Sequence, residues 1–358
     1  MSSQRCHQLL EQIEAVCRHD WTLMEVCGGQ THALLRHGID RLVPPQIQLI
    51  HGPGCPVCVT AIETIDQALR LAADPELTLC SYGDMLRVPG SDGRDLLSLR
   101  ARGADVRVVY SPLDVLTLAQ QQPQRRFVFF AVGFETTAPA TALLAQQALA
   151  TGVANLELLV AHVRVAPVLE QLLGDPHCGV QGVLAAGHVC TVLGDAELVA
   201  LSRRHRRPIV ITGFSAEELL QGILQCVCQL EQGSHRLENA YPRAVRTAGN
   251  RAARRLLEQV FEPITTRWRG LGEIPAGGYR LRGPYRHLAA HPGSPSAARP
   301  VAQNATPQTG CPSGLVLQGL LRPSQCPSFG RTCTPDTPLG APMVSSEGAC
   351  AAYHRYHR

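Results

Sequence analysis

The chain has 358 residues, of which 45% are hydrophobic and 17% are charged, and its formal net charge is +4. A globular chain of this length exceeds one small core, so the composition predicts two or three domains. The weak net charge and the lack of a dense basic run argue against a nucleic-acid partner. All 33 basic residues are arginines, which excludes a P-loop lysine and Schiff-base chemistry.

The amino terminus and the cysteine content together predict a cytoplasmic protein with metal or redox chemistry. The opening sequence MSSQRCHQLLEQ is polar, and no apolar run is long enough to cross a bilayer. Structural disulfides are rare in the cytosol, so 14 cysteines indicate a chemical role for some of them. Seven that lie in apolar segments are interpreted as small buried hydrophobes: Cys6, Cys17, Cys80, Cys178, Cys190, Cys226 and Cys228.

The first predicted element is an amphipathic helix over residues 5–18, and the loop after it carries a cysteine motif. In the run CGGQTH, two glycines follow Cys27, leave the backbone free to adopt positive φ angles and let another group approach the sulfur closely. Thr31 and His32 add a hydroxyl and an imidazole that can stabilise a thiolate. The motif predicts that Cys27 is a metal ligand or a nucleophile.

A second cysteine motif, Cys-Pro-Val-Cys, follows the apolar run at residues 46–50. Cys55 and Cys58 could form a redox pair, half of a zinc site or two inert thiols, and we favour the redox pair. A helix capped by Thr60 is predicted next, and its positive end would lower the pKa of a nearby thiol.

From residue 46 to residue 230, short apolar runs alternate with helical patterns, which is typical of parallel sheets with crossover helices. The predicted strands are 46–50, 77–82, 105–110, 126–132, 156–163, 180–186 and 208–214. We therefore predict an α/β fold with two similar parallel-sheet βαβ domains around a cleft. The predicted units are an N-terminal helix at 1–22, domain I at 23–130, domain II at 131–234 and a mostly helical and loop C-terminal domain at 235–358.

Ligands of parallel sheets bind beyond the carboxyl ends of the strands, and several polar loops lie there. Glu135 follows the predicted strand at 126–132, within the run GFETT. The sequence leaves open whether Glu135 is an ordinary loop acid or a functional group. We expect four such loops to face one cleft, at 52–55, 133–137, 187–188 and 212–213.

The C-terminal region predicts a flexible insertion and a metal site. Residues 291–310 are rich in Ala, Pro and Ser, which predicts an insertion at about 286–310. Four cysteines in the Pro- and Gly-rich loops after it have the spacing C-x14-C-x6-C-x16-C. They could hold a structural zinc ion or an iron-sulfur cluster, and the spacing alone does not choose. The four are Cys311, Cys326, Cys333 and Cys350.

Four segments resemble the HypD family of nickel-iron hydrogenase maturation proteins: MEVCGGQTH (24–32), HGPGCPVC (51–58), GFETT (133–137) and CTPDTPLGAPMVSSEGACAAY (333–353). The resemblance implies that the four C-terminal cysteines bind a 4Fe-4S cluster, because the family carries one on this spacing. The chain has Ser313 and Pro342 where the family often has further cysteines. Neither position belongs to the four-ligand spacing.

The resemblance also implies the function of a redox-active assembly scaffold. Cys27 would hold an iron together with a small HypC-type partner, while two cyanides and one carbon monoxide are installed. Cyanide would arrive as a thiocyanate on a HypE-type partner, and its release consumes two electrons from the Cys55 and Cys58 pair. His32, Thr31 and Glu135 are then candidates for support of the site or for proton delivery.

Two other functions remain possible from the sequence. A stand-alone thiol-disulfide oxidoreductase with a C-terminal metal cluster would use Cys55 and Cys58 but leave Cys27 without a role. A zinc-stabilised binding protein would perform no chemistry. The sequence also leaves open whether a scaffold of this kind turns over as an enzyme.

Overall fold

The structure is a computed structural model that describes residues 3–291 and 310–357. Most of the predicted insertion at 286–310 lies outside these residues, and its first positions complete a short 3-10 helix, Gly283–Leu288. The strands are β1 (Trp21–Glu25), β2 (Ile47–His51), β3 (Leu77–Ser81), β4 (Val106–Val108), β5 (Arg126–Gly133), β6 (Leu156–His162), β7 (Gly182–Ala186), β8 (Ile209–Thr212), β9 (Leu237–Asn239), β10 (Phe261–Trp268) and β11 (Gly272–Leu281).

Helices precede, connect and follow these strands, and 3-10 turns lie at Gly83–Arg87 and Pro323–Gln325. The helices are α1 (Ser3–Val16), α2 (Gly28–Arg36), α3 (Ile39–Leu42), α4 (Pro56–Val59), α5 (Ile62–Ala72), α6 (Leu96–Ala101), α7 (Pro112–Gln121), α8 (Ala138–Thr151), α9 (Val165–Gly174), α10 (Gly187–Leu193), α11 (Ala196–His205), α12 (Ala216–Glu231), α13 (Arg251–Val260), α14 (Ser313–Leu317), α15 (Ala341–Val344) and α16 (Ala349–Tyr356). No helix within 3–291 and 310–357 combines the length and apolarity needed to span a membrane.

Two parallel sheets form the centre of the fold, which confirms the predicted α/β class with βαβ units. One sheet has the strand order β2-β1-β7-β8-β9 and the other the order β4-β3-β5-β6. All pairs in both sheets are parallel. The central strand β5 is buried from Phe127 to Gly133. Its apolar run fits a parallel strand that is covered by helices on both faces.

The two sheets do not divide at the predicted boundary between residues 130 and 131. The five-stranded sheet combines β1 and β2 with β7, β8 and β9, and β6 joins the strands before the boundary in the other sheet. Strand β9 also lies beyond residue 234, where the second unit was predicted to end. A βα pattern predicts the elements, but it does not show which strands pair across a long crossover. An example is the pairing of β1 with β7, which aligns Leu23 with Gly182.

Three strand regions and one helix start differ from the sequence-based expectation. Strand β1 lies where a loop was predicted, the short β9 was missed, and β10 and β11 form an antiparallel hairpin in a region predicted as helix and loop. The helix expected to be capped by Thr60 begins at Ile62 instead. Thr60 ends the separate helix α4, and its hydroxyl donates to the Pro56 carbonyl at 2.9 Å.

The seven cysteines interpreted as buried hydrophobes divide into two groups. Cys80, Cys190 and Cys226 are buried, which confirms the interpretation for these three. The other four are partly exposed, so full burial was wrong for Cys6, Cys17, Cys178 and Cys228.

Candidate functional site

Cys27 lies between β1 and α2, at the carboxyl edge of the five-stranded sheet. Its backbone is extended, with φ −148° and ψ 120°, and it is the N-cap residue of α2. Its carbonyl accepts hydrogen bonds from the N–H groups of Gln30 at 2.8 Å and Thr31 at 3.0 Å. The strand β1 is flanked by β2 and β7, so Cys27 follows an interior strand of the sheet.

The two glycines after Cys27 serve close approach rather than unusual backbone angles. Neither Gly28 nor Gly29 has a positive φ, so that part of the expectation was wrong. A Cβ on Gly28 would collide with the backbone of Glu347. A Cβ on Gly29 would lie 3.3 Å from the Phe214 ring and 3.7 Å from Cys27 Sγ. The glycines therefore allow other segments to pack against the cysteine loop, as predicted.

A buried carboxylate, Glu25, organises this loop, and the sequence analysis did not select it. Its Oε2 accepts the Cys27 N–H at 2.8 Å, and its Oε1 accepts from the Thr31 hydroxyl and pairs with His51 Nδ1 at 2.7 Å. Glu25 and His51 are aligned in register across β1 and β2. Glu25 is 1% exposed, so its three partners take the place of the hydrogen bonds to water that a buried polar group loses.

The Cys27 thiol is not activated by its surroundings. Burial raises its pKa to about 12, the backbone N–H groups of Gln30 and Gly29 oppose this, and the carboxylates of Glu25 and Glu347 add to it. The expected stabilisation of a thiolate is therefore wrong for the thiol as it stands. A cation bound at the sulfur would favour the thiolate, so the surroundings suit a metal ligand better than a free nucleophile.

Cys55 and Cys58 form a disulfide, and both are buried beside the Cys27 loop. The carbonyl of Gly54 accepts the Gly28 N–H at 2.8 Å, and a Cβ on Gly54 would collide with the Cys27 backbone. The helix that begins directly after Cys55 has only four residues. The long helix whose N-terminus was expected beside these sulfurs begins later, at Ile62.

The four C-terminal cysteines line one apolar cavity, as their spacing predicts for a shared site. Burial raises the pKa of the Cys350 thiol, and the other three thiols raise it further. Burial likewise raises the pKa of Cys311. Such neighbouring thiols ionise together only when a cationic group binds them. The four residues are Cys311, Cys326, Cys333 and Cys350.

A zinc ion and a cubane cluster make different demands on four sulfur ligands. Within 3–291 and 310–357, no three His, Cys, Asp or Glu side chains are close enough to hold one metal ion. Zinc with Zn–S bonds of about 2.3 Å would require its sulfur ligands within about 4 Å of one another. A cubane cluster binds each thiolate at a different iron, so its ligands stand further apart.

The helix α15 (Ala341–Val344) connects the disulfide to the four-cysteine cavity. Cys58 Sγ lies 3.9 Å from the Ala341 carbonyl oxygen. Pro342 and Met343, on the same helix, line the cavity of the four cysteines. One short helix therefore contacts both groups of cysteines.

The remaining predicted site residues lie in different places. Thr31 is part of the Glu25 network. His32 faces the C-terminal helix, where its Nε2 lies 2.9 Å from the Tyr356 hydroxyl, and burial, with help from Arg355 and Arg36, lowers its pKa. Glu135 lines a separate cavity whose lining includes none of Cys27, Cys55 and Cys58.

Glu25, His51 and Glu347 are the residues near Cys27 that the sequence analysis missed. All three lie inside the cysteine-containing segments quoted above. A carboxylate two residues before Cys27 and a histidine four before Cys55 were the available signals. Their pairing depends on the register of β1 and β2, which was not predicted because β1 was not.

Comparison with known proteins gives a consistent result along the chain. The family model HypD, described as "Hydrogenase formation hypA family", matches residues 4–357. "Hydrogenase maturation factor HypD" of Rhodobacter capsulatus is 43% identical over 353 residues, which cover 98% of this chain and 93% of the relative. The proteins of the same name from Rhizobium leguminosarum bv. viciae and Escherichia coli (strain K12) are each 44% identical, over 94% of this chain and 88% and 89% of their own lengths.

Proposed function

Because the chain belongs to the HypD family of hydrogenase maturation factors, we propose that it is a redox-active scaffold for the iron unit of a nickel-iron hydrogenase. The chain and a small HypC-type partner bind one iron as cargo, on which two cyanides and one carbon monoxide are installed. A HypE-type partner supplies the cyanide as a thiocyanate on one of its cysteines. This work takes place in the cytoplasm, where thiols stay reduced.

The succession of three cysteine groups through the structure carries the proposal. Cys27 lies beside the loop of the Cys55–Cys58 disulfide, and that disulfide packs on α15, which also lines the four-cysteine cavity. An electron path from the cavity to the Cys27 site would follow this succession. A stand-alone thiol oxidoreductase has no need of the first and last groups.

The electron balance of cyanide release matches the chemistry of the pair. A thiocyanate R–S–C≡N takes up two electrons, its S–C bond breaks, and a thiolate and a cyanide ion leave. Cys55 and Cys58 as a dithiol supply two electrons, form their S–S bond and release two protons. The disulfide in the structure corresponds to the oxidised form of this couple.

The C-terminal residues fit a 4Fe-4S cluster as the source of those electrons. Four thiols line one apolar cavity, which is the donor set such a cluster requires. Ser313 and Pro342 also line the cavity and add no fifth thiol. When bound, a cluster supplies electrons singly. The four cysteines would hold it, and α15 would separate it from the disulfide.

Cys27 is the thiolate ligand of the cargo iron in this proposal, and Glu25 fixes its position. The Glu25 carboxylate accepts hydrogen bonds from the backbone N–H of Cys27 and from the Thr31 hydroxyl, so it ties Cys27 to the first turn of α2. His32 stands one residue further along α2 and is the candidate for handling protons at this site. Glu135 was a further candidate, but its carboxyl lines a different cavity, so this proposal assigns it no step at the iron.

Infrared spectroscopy tests this function directly. The anaerobically purified chain, co-expressed with a HypC-type partner, should show the stretching bands of iron-bound cyanide and carbonyl. Cys27→Ala should remove the bands, while Cys228→Ala, a partly exposed cysteine on α12, should keep them. Absence of the bands from the wild type, with iron-sulfur absorption intact, would contradict the scaffold and favour a thiol-disulfide oxidoreductase.

A further inference from the structure

A cavity of about 260 Å³ is lined by residues at or just after the carboxyl ends of β5, β6 and β7. Residues of α10, α13 and the hairpin of β10 and β11 also line it. Its volume is just below the range of about 300–1,000 Å³ that is typical of small-molecule sites. Apolar side chains make up most of the wall, among them Val165, Leu193, Leu257 and Phe261.

Glu135 gives the cavity wall an unsatisfied acceptor. The side chain is fully buried, at 0% exposure. Its Oε1 accepts the Val165 N–H at 3.0 Å, whereas its Oε2 has no hydrogen-bond partner among the described residues. A buried carboxylate oxygen without a partner is costly, so a ligand N–H at this position would be stabilising.

Arg164 gives the same wall an unsatisfied donor. Its terminal nitrogens donate to the Ala276 carbonyl at 3.1 Å and to Glu197 at 2.6 Å, and its guanidinium stacks 5.6 Å from the centre of the Tyr279 ring. Its Nε–H is buried and has no partner within the described residues. The contacts at the far end of the guanidinium hold Arg164 in place and leave this one N–H to a ligand.

The charges of the lining indicate a neutral ligand. Three carboxylates and three guanidinium groups line the cavity, so neither sign is in excess: Glu135, Glu197, Glu258, Arg164, Arg254 and Arg282. An anion would meet the Glu135 carboxylate, and a cation would meet Arg164. A group that carries an N–H beside a C=O satisfies both unpaired atoms at once.

We propose that this cavity binds a small neutral amide with an apolar body, which donates its N–H to Glu135 Oε2 and accepts the Nε–H of Arg164 through its carbonyl. The apolar walls hold the body of the ligand. None of Cys27, Cys55 and Cys58 lines this cavity, and the inference does not rest on the proposed function.

Three probes of one shape and different head groups test the ligand class. Benzamide, benzoate and benzylamine are titrated calorimetrically into the intact, anaerobically purified chain at about pH 8.5. At this pH the Glu135 carboxyl, whose pKa is raised to about 7 by burial, is ionised. Benzamide should bind at least about tenfold more tightly than either charged probe. Equal or tighter binding of benzoate or benzylamine, or no saturable benzamide binding, would overturn the proposal.

Glu135→Gln should reverse the preference between two of the probes. The Val165 N–H keeps the Gln oxygen at the position of Oε1, so an NH2 group replaces Oε2. Benzamide then meets a donor instead of an acceptor, whereas benzoate gains a donor beside Arg164. Benzoate should become the tighter ligand, and an unchanged ranking in the folded variant would contradict the assignment of Glu135.

A second variant locates the binding without touching the polar groups. Val189 lines the cavity, and Val189→Phe should weaken benzamide binding at least about tenfold by occupying the space. Val199→Phe, on α11 outside the lining, is the matched control and should bind normally. Unchanged binding by Val189→Phe places the probe elsewhere and refutes the site. Cys27→Ala should bind benzamide as the wild type does, which separates this site from the proposed iron site.

Discussion

Glu25 and Glu135 are both buried carboxyl groups near the carboxyl end of a parallel strand, and their neighbours give them opposite properties. Glu25 accepts three hydrogen bonds, from Cys27, Thr31 and His51, and fixes a cysteine loop. Glu135 accepts one, from Val165, and its second oxygen has none in the described structure. Burial alone therefore does not reveal the role of a carboxylate. The number of its donors separates a structural anchor from a candidate ligand group.

Glu25→Gln should have the largest effect. A glutamine has one acceptor oxygen and one NH2 group, so at least one of the donors around Glu25 would face another donor. We expect the unfolding free energy to fall by about 3–5 kcal/mol, as is typical when one partner of a buried pair is removed. Anaerobic urea unfolding measures the loss, and Glu14→Gln on the exposed face of α1 is the control. A loss below about 1 kcal/mol would show that Glu25 does not anchor the loop.

Glu135→Gln should raise the unfolding free energy relative to the wild type, by an amount that grows with pH. Burial raises the pKa of Glu135 from 4.5 to about 7, so the folded state favours the neutral carboxyl. That preference stabilises the wild type fully below pH 4.5 and is lost as the pH rises through about 7. Relative to the wild type, the variant should gain about 3 kcal/mol between pH 4 and pH 8. Unfolding curves at both values measure this gain, and a constant difference would contradict the raised pKa.

Thr31→Val should have the smallest effect of the three. It removes one donor to Glu25 but keeps the shape of the side chain, while the Cys27 and His51 bonds remain. The expected loss of unfolding free energy is about 1–2 kcal/mol. Thr64→Val on α5 provides a comparison on another helix. If Thr31→Val cost as much as Glu25→Gln, the hydroxyl rather than the carboxylate would be the centre of the network.

The sequence predicted the parts of this account that depend on local pattern. The apolar runs at 77–82 and 126–132 became β3 and β5, because parallel strands buried on both faces are apolar throughout. The spacing of the four C-terminal cysteines predicted that they share one site, and they line one cavity.

The parts that depend on long-range pairing could not be read in the same way. Strand β1 is short and carries the polar Thr22 and Glu25, so it resembled the start of a loop. Its pairing with β2 brings Glu25 to His51, and its pairing with β7 joins strands from distant parts of the chain in one sheet. The Glu135 cavity likewise needs the hairpin of β10 and β11, which has no regular alternation of apolar residues.

The central claim is that Cys27 holds the cargo iron and that the four C-terminal cysteines hold a separate cluster. Mössbauer spectra of the chain, labelled with 57Fe and co-expressed with a HypC-type partner, test both parts at once. The wild type should show the signal of a 4Fe-4S cluster and that of a single low-spin iron. Cys27→Ala should lose only the low-spin signal, and Cys333→Ala should lose the cluster signal. A low-spin iron that persists in Cys27→Ala would contradict the account.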